Sequence, residues 1–204
     1  MKLIVGGHWD NPPQGWQSFT EQECDITKPL IWADNSVDVL FSEHVQEHIA
    51  LIDSILYFKE ALRVLKPNGI LRICMPCIDK LIKFKNDELG KHYSDVQTRH
   101  YYPNEDAALK ELGLEGIREE PIMFMLDSLF KGHNHKMLWT SSMMKKVLEK
   151  VGFSQVNIVE PGNSLFEEEI ELERIIRGVE PNYVFQTFGI TNYDPESKVI
   201  EAKK

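Results

Sequence analysis

The sequence predicts a single α/β domain with a mainly parallel sheet flanked by helices. Two observations predict it. Short, β-branched apolar runs of the kind that fill buried parallel strands recur along the chain. Val37 to Ser42 (VDVLFS) is followed by a helical stretch, a Pro67-Asn68-Gly69 turn and the run Ile70 to Met75. Strand, helix, turn and strand make a βαβ unit, and such units cross over right-handed into parallel sheets.

The chain opens on KLIVG, residues 2–6, a buried strand ending at glycine. Residues 7–15 hold two prolines and two glycines and read as a loop. Residues 16–20 (WQSFT) read as a short second strand, and 33–36 as a turn before Val37. From Ile52 to Leu65, apolar residues at 52, 55, 56, 58, 61, 62 and 65 repeat with the period of an amphipathic helix. Residues 78–86 read as helical, and 90–136 as irregular and rich in Tyr, His, Met and Phe. Thr140 is an N-cap, and Met143, Met144, Val147, Leu148 and Val151 share a helix face. Gly152 stops that helix, 153–160 alternates as a strand, 165–178 is acidic and helical in character, and 197–203 closes as a strand.

The chain has 204 residues, enough for one domain, with 42% hydrophobic residues to build a core. A net charge of -9 argues against a nucleic-acid backbone or an anionic membrane as partner. Three cysteines make no disulfide framework, and the apolar run at the N-terminus is too short for a signal peptide or a span. These features predict a soluble cytoplasmic protein.

Several motifs carry chemistry. Gly6-Gly7 at a strand end is either a backbone cradle for a ligand or a tight turn. Cys74-Met75-Pro76-Cys77 is a CxxC without the second pair a zinc site needs, and Cys74 falls in a strand, so it reads as core. His44-Val45-Gln46-Glu47-His48 spells H-x-x-E-H, which could bind zinc on a helix of useful length with a third ligand well downstream. The motif directly follows a strand, and no metal site is assigned to it; Glu47 and His48 are left as structural or substrate-facing. In Gly132-His133-Asn134-His135 a histidine could act as general base, or His135 could pack or cap the helix near Thr140. Tyr93, Tyr101, Tyr102 and Phe124 read as a small core rather than a substrate box.

Four segments resemble the class I S-adenosylmethionine (SAM)-dependent methyltransferases, in their compact type 11-like branch. Residues 29–38 (PLIWADNSVD) are similar to that family's PLPFPDNSFD. Residues 42–48 (SEHVQEH) are similar to SSHVLEH, and 60–71 (EALRVLKPNGIL) to EWYRVLKPGGRL. His135 to Trp139 followed by 148–153 (LEKVGF) is similar to a histidine-led segment ending in LLExAGF. The resemblance runs in order from about residue 2 to residue 160, and residues 197–202 resemble the fold's last, antiparallel strand.

The resemblance implies a Rossmann-like sheet with that closing strand, a substrate lid at 80–135 and a C-terminal elaboration at 161–196. It implies SAM as cofactor, and methyl transfer to an oxygen or nitrogen of a small molecule or glycan. It places the cofactor on Gly6, Gly7, Thr20, Glu21, Asp25, Ile26, Ser42, Glu43 and His44. His135, with His133 or His44 in its stead, is the expected general base. The chain departs from the family at Val5-Gly6-Gly7-His8, where LGCG is usual, and at Thr20, where an acid is usual. A helix has little room between Gly7 and Trp16. The alternative is a non-catalytic relative that has lost SAM and serves as a partner subunit.

Overall fold

The computed structural model describes residues 1–6, 12–86, 88, 90–91, 105–114, 126–127, 129–131, 133–166 and 196–204. The apolar runs form β1 (Lys2–Val5), β2 (Trp16–Phe19), β3 (Val37–Glu43), β4 (Leu65–Pro76), β5 (Gln155–Val159) and β6 (Ser197–Lys203). They join one six-stranded sheet in the order β2-β1-β3-β4-β6-β5. β1 pairs in parallel with β2 and β3, and β3 pairs in parallel with β4. β6 runs antiparallel to both β4 and β5. The parallel sheet and its antiparallel closing strand are as the sequence predicts.

Helix α1 (Leu51–Val64) makes the crossover from β3 to β4, burying Tyr57, Phe58, Ala61 and Val64. The chain passes from this helix into β4 at Leu65, five residues before the strand expected from the sequence. Leu65 pairs with Val37, and the next pair is Ile70 with Val39. Lys66 to Gly69 form the irregularity between them. Pro67 has no N–H for the ladder, and Asn68 is left-handed at φ 66°. A side chain on Gly69 would put its Cβ 2.9 Å from the Lys66 carbonyl.

Helix α2 is Ile78–Lys83, and α3 is Glu105–Glu111, inside the stretch read as irregular. Glu105 to Glu111 (EDAALKE) is rich in good helix formers, and Gly113 at φ 68° follows it. Helix α4 (Ser141–Val151) begins as expected, with Thr140 Oγ1 accepting from the Met143 N–H at 3.1 Å, and stops at Gly152, φ 124°. Met144 and Leu148 are buried, Val147 and Val151 pack beside them, and Met143 turns outward. Half of the expected lid, and residues 167–195 of the expected elaboration, lie outside the described residues. Among the described residues no helix is long and apolar enough to cross a membrane.

Side-chain alternation gives the sheet two apolar faces. On one, Leu3, Val5, Leu40, Leu71, Ile73 and Met75 pack under Tyr57, Phe58, Trp139 and Leu148. On the other, Ile4, Trp16, Val39, Phe41, Ile70, Cys74 and Val199 form a smaller cluster. Arg72 and Glu201 are register partners on β4 and β6, and both side chains are fully buried. Arg72 Nη1 donates to Glu201 Oε1 and, at 3.0 Å, to the Asn163 carbonyl. Glu201 Oε2 accepts from the Leu165 N–H at 3.0 Å. The pair therefore fastens the 163–165 segment to the sheet.

Arg63 fastens the segment before β3. Its guanidinium donates to the carbonyls of Leu30 at 2.9 Å and Trp32 at 3.0 Å. It also donates to Asp34 at 2.7 Å and to Glu60, whose Oε2 accepts from the Leu30 N–H at 2.9 Å. The Arg63 hydrogen bonds hold the Glu60 carboxyl below the usual carboxylate range.

Two outcomes follow from these contacts. Glu201→Ala leaves Arg72 buried without its carboxylate and should cost about 3–5 kcal/mol in denaturant unfolding. Arg72→Met combined with Glu201→Leu should cost clearly less. Arg63→Ala should cost about 1–3 kcal/mol. Because Glu60's pKa is lowered on folding, its contribution is present above its unfolded value near 4.3 and is lost as pH falls below it. Arg63→Ala should therefore flatten the acid limb of stability against pH; an unchanged limb would contradict the assignment.

Candidate functional site

The parallel strands β1, β2, β3 and β4 end at Val5, Phe19, Glu43 and Pro76, so these ends share one edge of the sheet. Open α/β sheets bind ligands at this edge. Gly6 leaves β1 at φ 78°, and its N–H donates to the Phe19 carbonyl at 3.0 Å. A Cβ on Gly6 would lie 2.6 Å from Val45 Cγ2. The space beside this glycine is thus filled by the chain's own valine. Gly7, with residues 8–11, lies outside the described residues.

At the end of β2, the N–H and hydroxyl of Thr20 both donate to Glu23 Oε2, each at 2.9 Å. Glu21 is exposed beside it. Asp25 Oδ1 accepts from the N–H and the hydroxyl of Thr27 at 2.9 and 2.7 Å, a local turn that lowers its pKa. Ile26 is buried in the larger core. Ser42 and Glu43, at the end of β3, are buried.

His44 sits at a left-handed φ of 52°, with its N–H donated to the Cys74 carbonyl at 2.9 Å. That backbone turns the ring between two partners: Nε2 lies 3.1 Å from Ser197 Oγ, and Nδ1 lies 3.1 Å from Glu47 Oε1. The chain then makes a single 3-10 turn, Gln46–His48, closed by the His48 N–H on the Val45 carbonyl at 3.0 Å. The H-x-x-E-H motif therefore does not lie along an α-helix.

The Glu47 carbonyl accepts from the N–H groups of Lys136 and Met137 at 2.7 and 3.1 Å. This docks the GHNH segment on the end of β3. His135 meets His48 edge-on, with ring centroids 4.7 Å apart, and His133 stacks on His135 at 5.4 Å. Burial pushes the His135 pKa down to about 4, against the attraction of Glu47 and with help from the neighbouring histidines. The ring is therefore neutral at pH 7. Burial pushes the wholly buried Glu47 up, but the approach and charge of His44 carry it below the usual carboxylate range.

All three histidines expected from the sequence, 44, 133 and 135, thus gather at the end of β3. They bring Glu47 and His48, which the sequence left without a role. One ligand-capable atom from each of Glu47, His48 and His135 lies within 4.8 Å of the others. His44, the motif's first histidine, is not in this group; its ring nitrogens face Ser197 and Glu47. Cys74 and Cys77 are both buried, and Cys77 Sγ lies 3.1 Å from Ser141 Oγ, in keeping with a packed CxxC. Tyr93, Tyr101, Tyr102 and Phe124 lie outside the described residues.

Residues 10–73 match the family model described as a methyltransferase domain. No curated protein matches the chain. Among solved structures, the chain is similar to a SAM-dependent methyltransferase of Archaeoglobus fulgidus (16% identity, TM-score 0.47, covering 94% of this chain and 69% of that one). It is also similar to an S-adenosylmethionine-dependent methyltransferase of Mesorhizobium loti (12%, TM-score 0.48, covering 95% and 72%). A third is a phosphoethanolamine N-methyltransferase of Haemonchus contortus in complex with phosphomonomethylethanolamine and S-adenosylhomocysteine (14%, TM-score 0.44, covering 93%). The chain spans 37% of the length of that last protein.

Gly6→Ala should destabilise the protein by about 1–3 kcal/mol, from left-handed strain and the clash with Val45. Adding Val45→Ala should restore part of that loss in thermal melts. Equal stability of the single and double variants would show that Val45 is not the obstacle.

Proposed function

We propose that this chain is a class I SAM-dependent methyltransferase and that it methylates an oxygen or nitrogen of a small-molecule or glycan acceptor in the cytoplasm, a reading supported by the match of residues 10–73 to a methyltransferase domain. The observation that carries this reading is the family match itself. It runs from the β1–β2 connection through β3 and α1 into β4, and so takes in the ends of β2 and β3, two of the four that meet at one edge. SAM supplies an electrophilic methyl group on a sulfonium.

The residues at this edge fit such a group. Glu21, exposed beyond β2 and without a partner among the described residues, suits the ribose hydroxyls. Thr20, Asp25 and Ile26 would border the nucleoside through backbone atoms, since the Thr20 hydroxyl and Asp25 Oδ1 are already engaged. Gly6-Gly7 and Ser42 to His44 would border the methionine part.

Methyl transfer is an in-line displacement, so positioning contributes much of the rate. The histidines at the end of β3 would receive the acceptor's proton. A general base works best with a pKa near the operating pH. His135 at about 4 stays neutral there and is a weak acceptor; His133, partly exposed and stacked on it, is better placed by exposure. His44, with both ring nitrogens against Ser197 and Glu47, is the more constrained of the three.

Calorimetric titration with SAM and S-adenosylhomocysteine tests the reading, with micromolar binding expected. Glu21→Ala should weaken it by about tenfold or more. With an acceptor in hand, His133→Ala should lower turnover by about 10²–10⁴-fold with SAM affinity kept, and His135→Ala by less. A chain that binds neither ligand would instead be the non-catalytic partner subunit.

A further inference from the structure

We propose that Glu47, His48 and His135 form a binding site for one divalent transition-metal ion of the zinc, cobalt or manganese kind. Two imidazoles and a carboxylate are a donor set that such ions take, with coordination positions left over for water or a substrate atom. Ligands about 2.1 Å from a common ion lie no more than about 4.2 Å apart. The ligand atoms here are already within 4.8 Å of one another, so small side-chain rotations close the site.

Two further observations point to a cation. The Glu47 carboxylate is fully buried, and neither oxygen makes a directed hydrogen bond among the described residues. His44 Nδ1 approaches Oε1 at 3.1 Å and leaves Oε2 without a polar partner. His44 thus meets only one side of this buried carboxylate, and a cation beside Oε2 would satisfy the other. His135 Nδ1, also buried, has no hydrogen-bond partner among the described residues. Each of these unsatisfied groups belongs to the proposed ligand set.

The backbone holds the set in place without the ion. The 3-10 turn fixes Glu47 beside His48, and the Glu47 carbonyl holds Lys136 and Met137, the residues that follow His135. His48 and His133 are partly exposed and leave an approach from solvent. The site is at the strand ends where methyl transfer is proposed above. Only the use of the ion, to polarise an acceptor oxygen or nitrogen, rests on that reading.

The test uses the whole chain, stripped with chelator and titrated with Zn²⁺ and with Co²⁺. One ion per chain should bind at micromolar or better affinity, and Co²⁺ should give the visible bands of a low-coordinate site. His48→Ala and Glu47→Gln should each weaken binding at least tenfold, and His133→Ala should leave it unchanged. Zn²⁺ should raise the melting temperature of the parent and not of His48→Ala. His48 is partly exposed, so this variant should fold even if Glu47→Gln does not. Binding no tighter than millimolar, or binding that survives His48→Ala and His135→Ala, overturns the site. SAM titration of the same sample separates the two readings: metal without SAM refutes the methyltransferase, and SAM without metal refutes this site.

Discussion

The Glu47 main-chain carbonyl is the point on which the site depends. It accepts two N–H groups from a segment nearly ninety residues away in the chain, and so decides which histidines meet at the end of β3. The carbonyl is free to do this because β3 ends at Glu43, and the single 3-10 turn that follows is too short to use it internally. Had the strand led directly into a long helix, the same carbonyl would have been spent on an N–H four residues later. The left-handed His44 starts this departure, and its backbone is held by the Cys74 carbonyl on the neighbouring strand. Sheet, turn and docked segment thus form one hydrogen-bonded unit.

The sheet itself is built to keep that edge rigid. Its central strands are apolar on both faces, and a charged pair fully buried inside, Arg72 with Glu201, is completed by the 163–165 segment. At the other end of α1, Arg63 gathers the carbonyls of Leu30 and Trp32. The RVLKPNG motif therefore has a structural meaning apart from any ligand. Its arginine holds the chain that leads into β3, and its Pro-Asn-Gly makes the bulge by which β4 resumes its register.

Most of the fold was legible in the sequence because its signals are local. Apolar runs, one helical period, Thr140 and Gly152 each act within a few residues of where they stand. Helix α3 was missed because its helix formers lack an apolar stripe long enough to register. The site was legible in its histidines but not in its arrangement. Nothing within H-x-x-E-H says that His135 will lie beside Glu47 and His48, since that depends on a backbone contact between distant segments. Likewise, Gly6 reads as a place for a ligand, and only packing reveals Val45 beside it. Asp25 reads equally as a cofactor contact or as a turn aspartate, and its side chain closes a turn on Thr27.

The position of β6 has a consequence for how the molecule is made. β4 lies in the middle of the sheet, yet one of its two neighbours is drawn from residues 197–203, with Arg72 and Glu201 129 residues apart in the chain. A ribosome delivers β1 to β4 long before β6. Until then β4 carries an unpaired, apolar edge of the kind that adds strands from other chains. Closing so long a loop also slows the pairing that covers it. The buried arginine, a charge in the middle of that waiting edge, opposes wrong partners that bring no carboxylate to meet it. The same residue that costs stability when left alone thus selects which strand is allowed to finish the sheet.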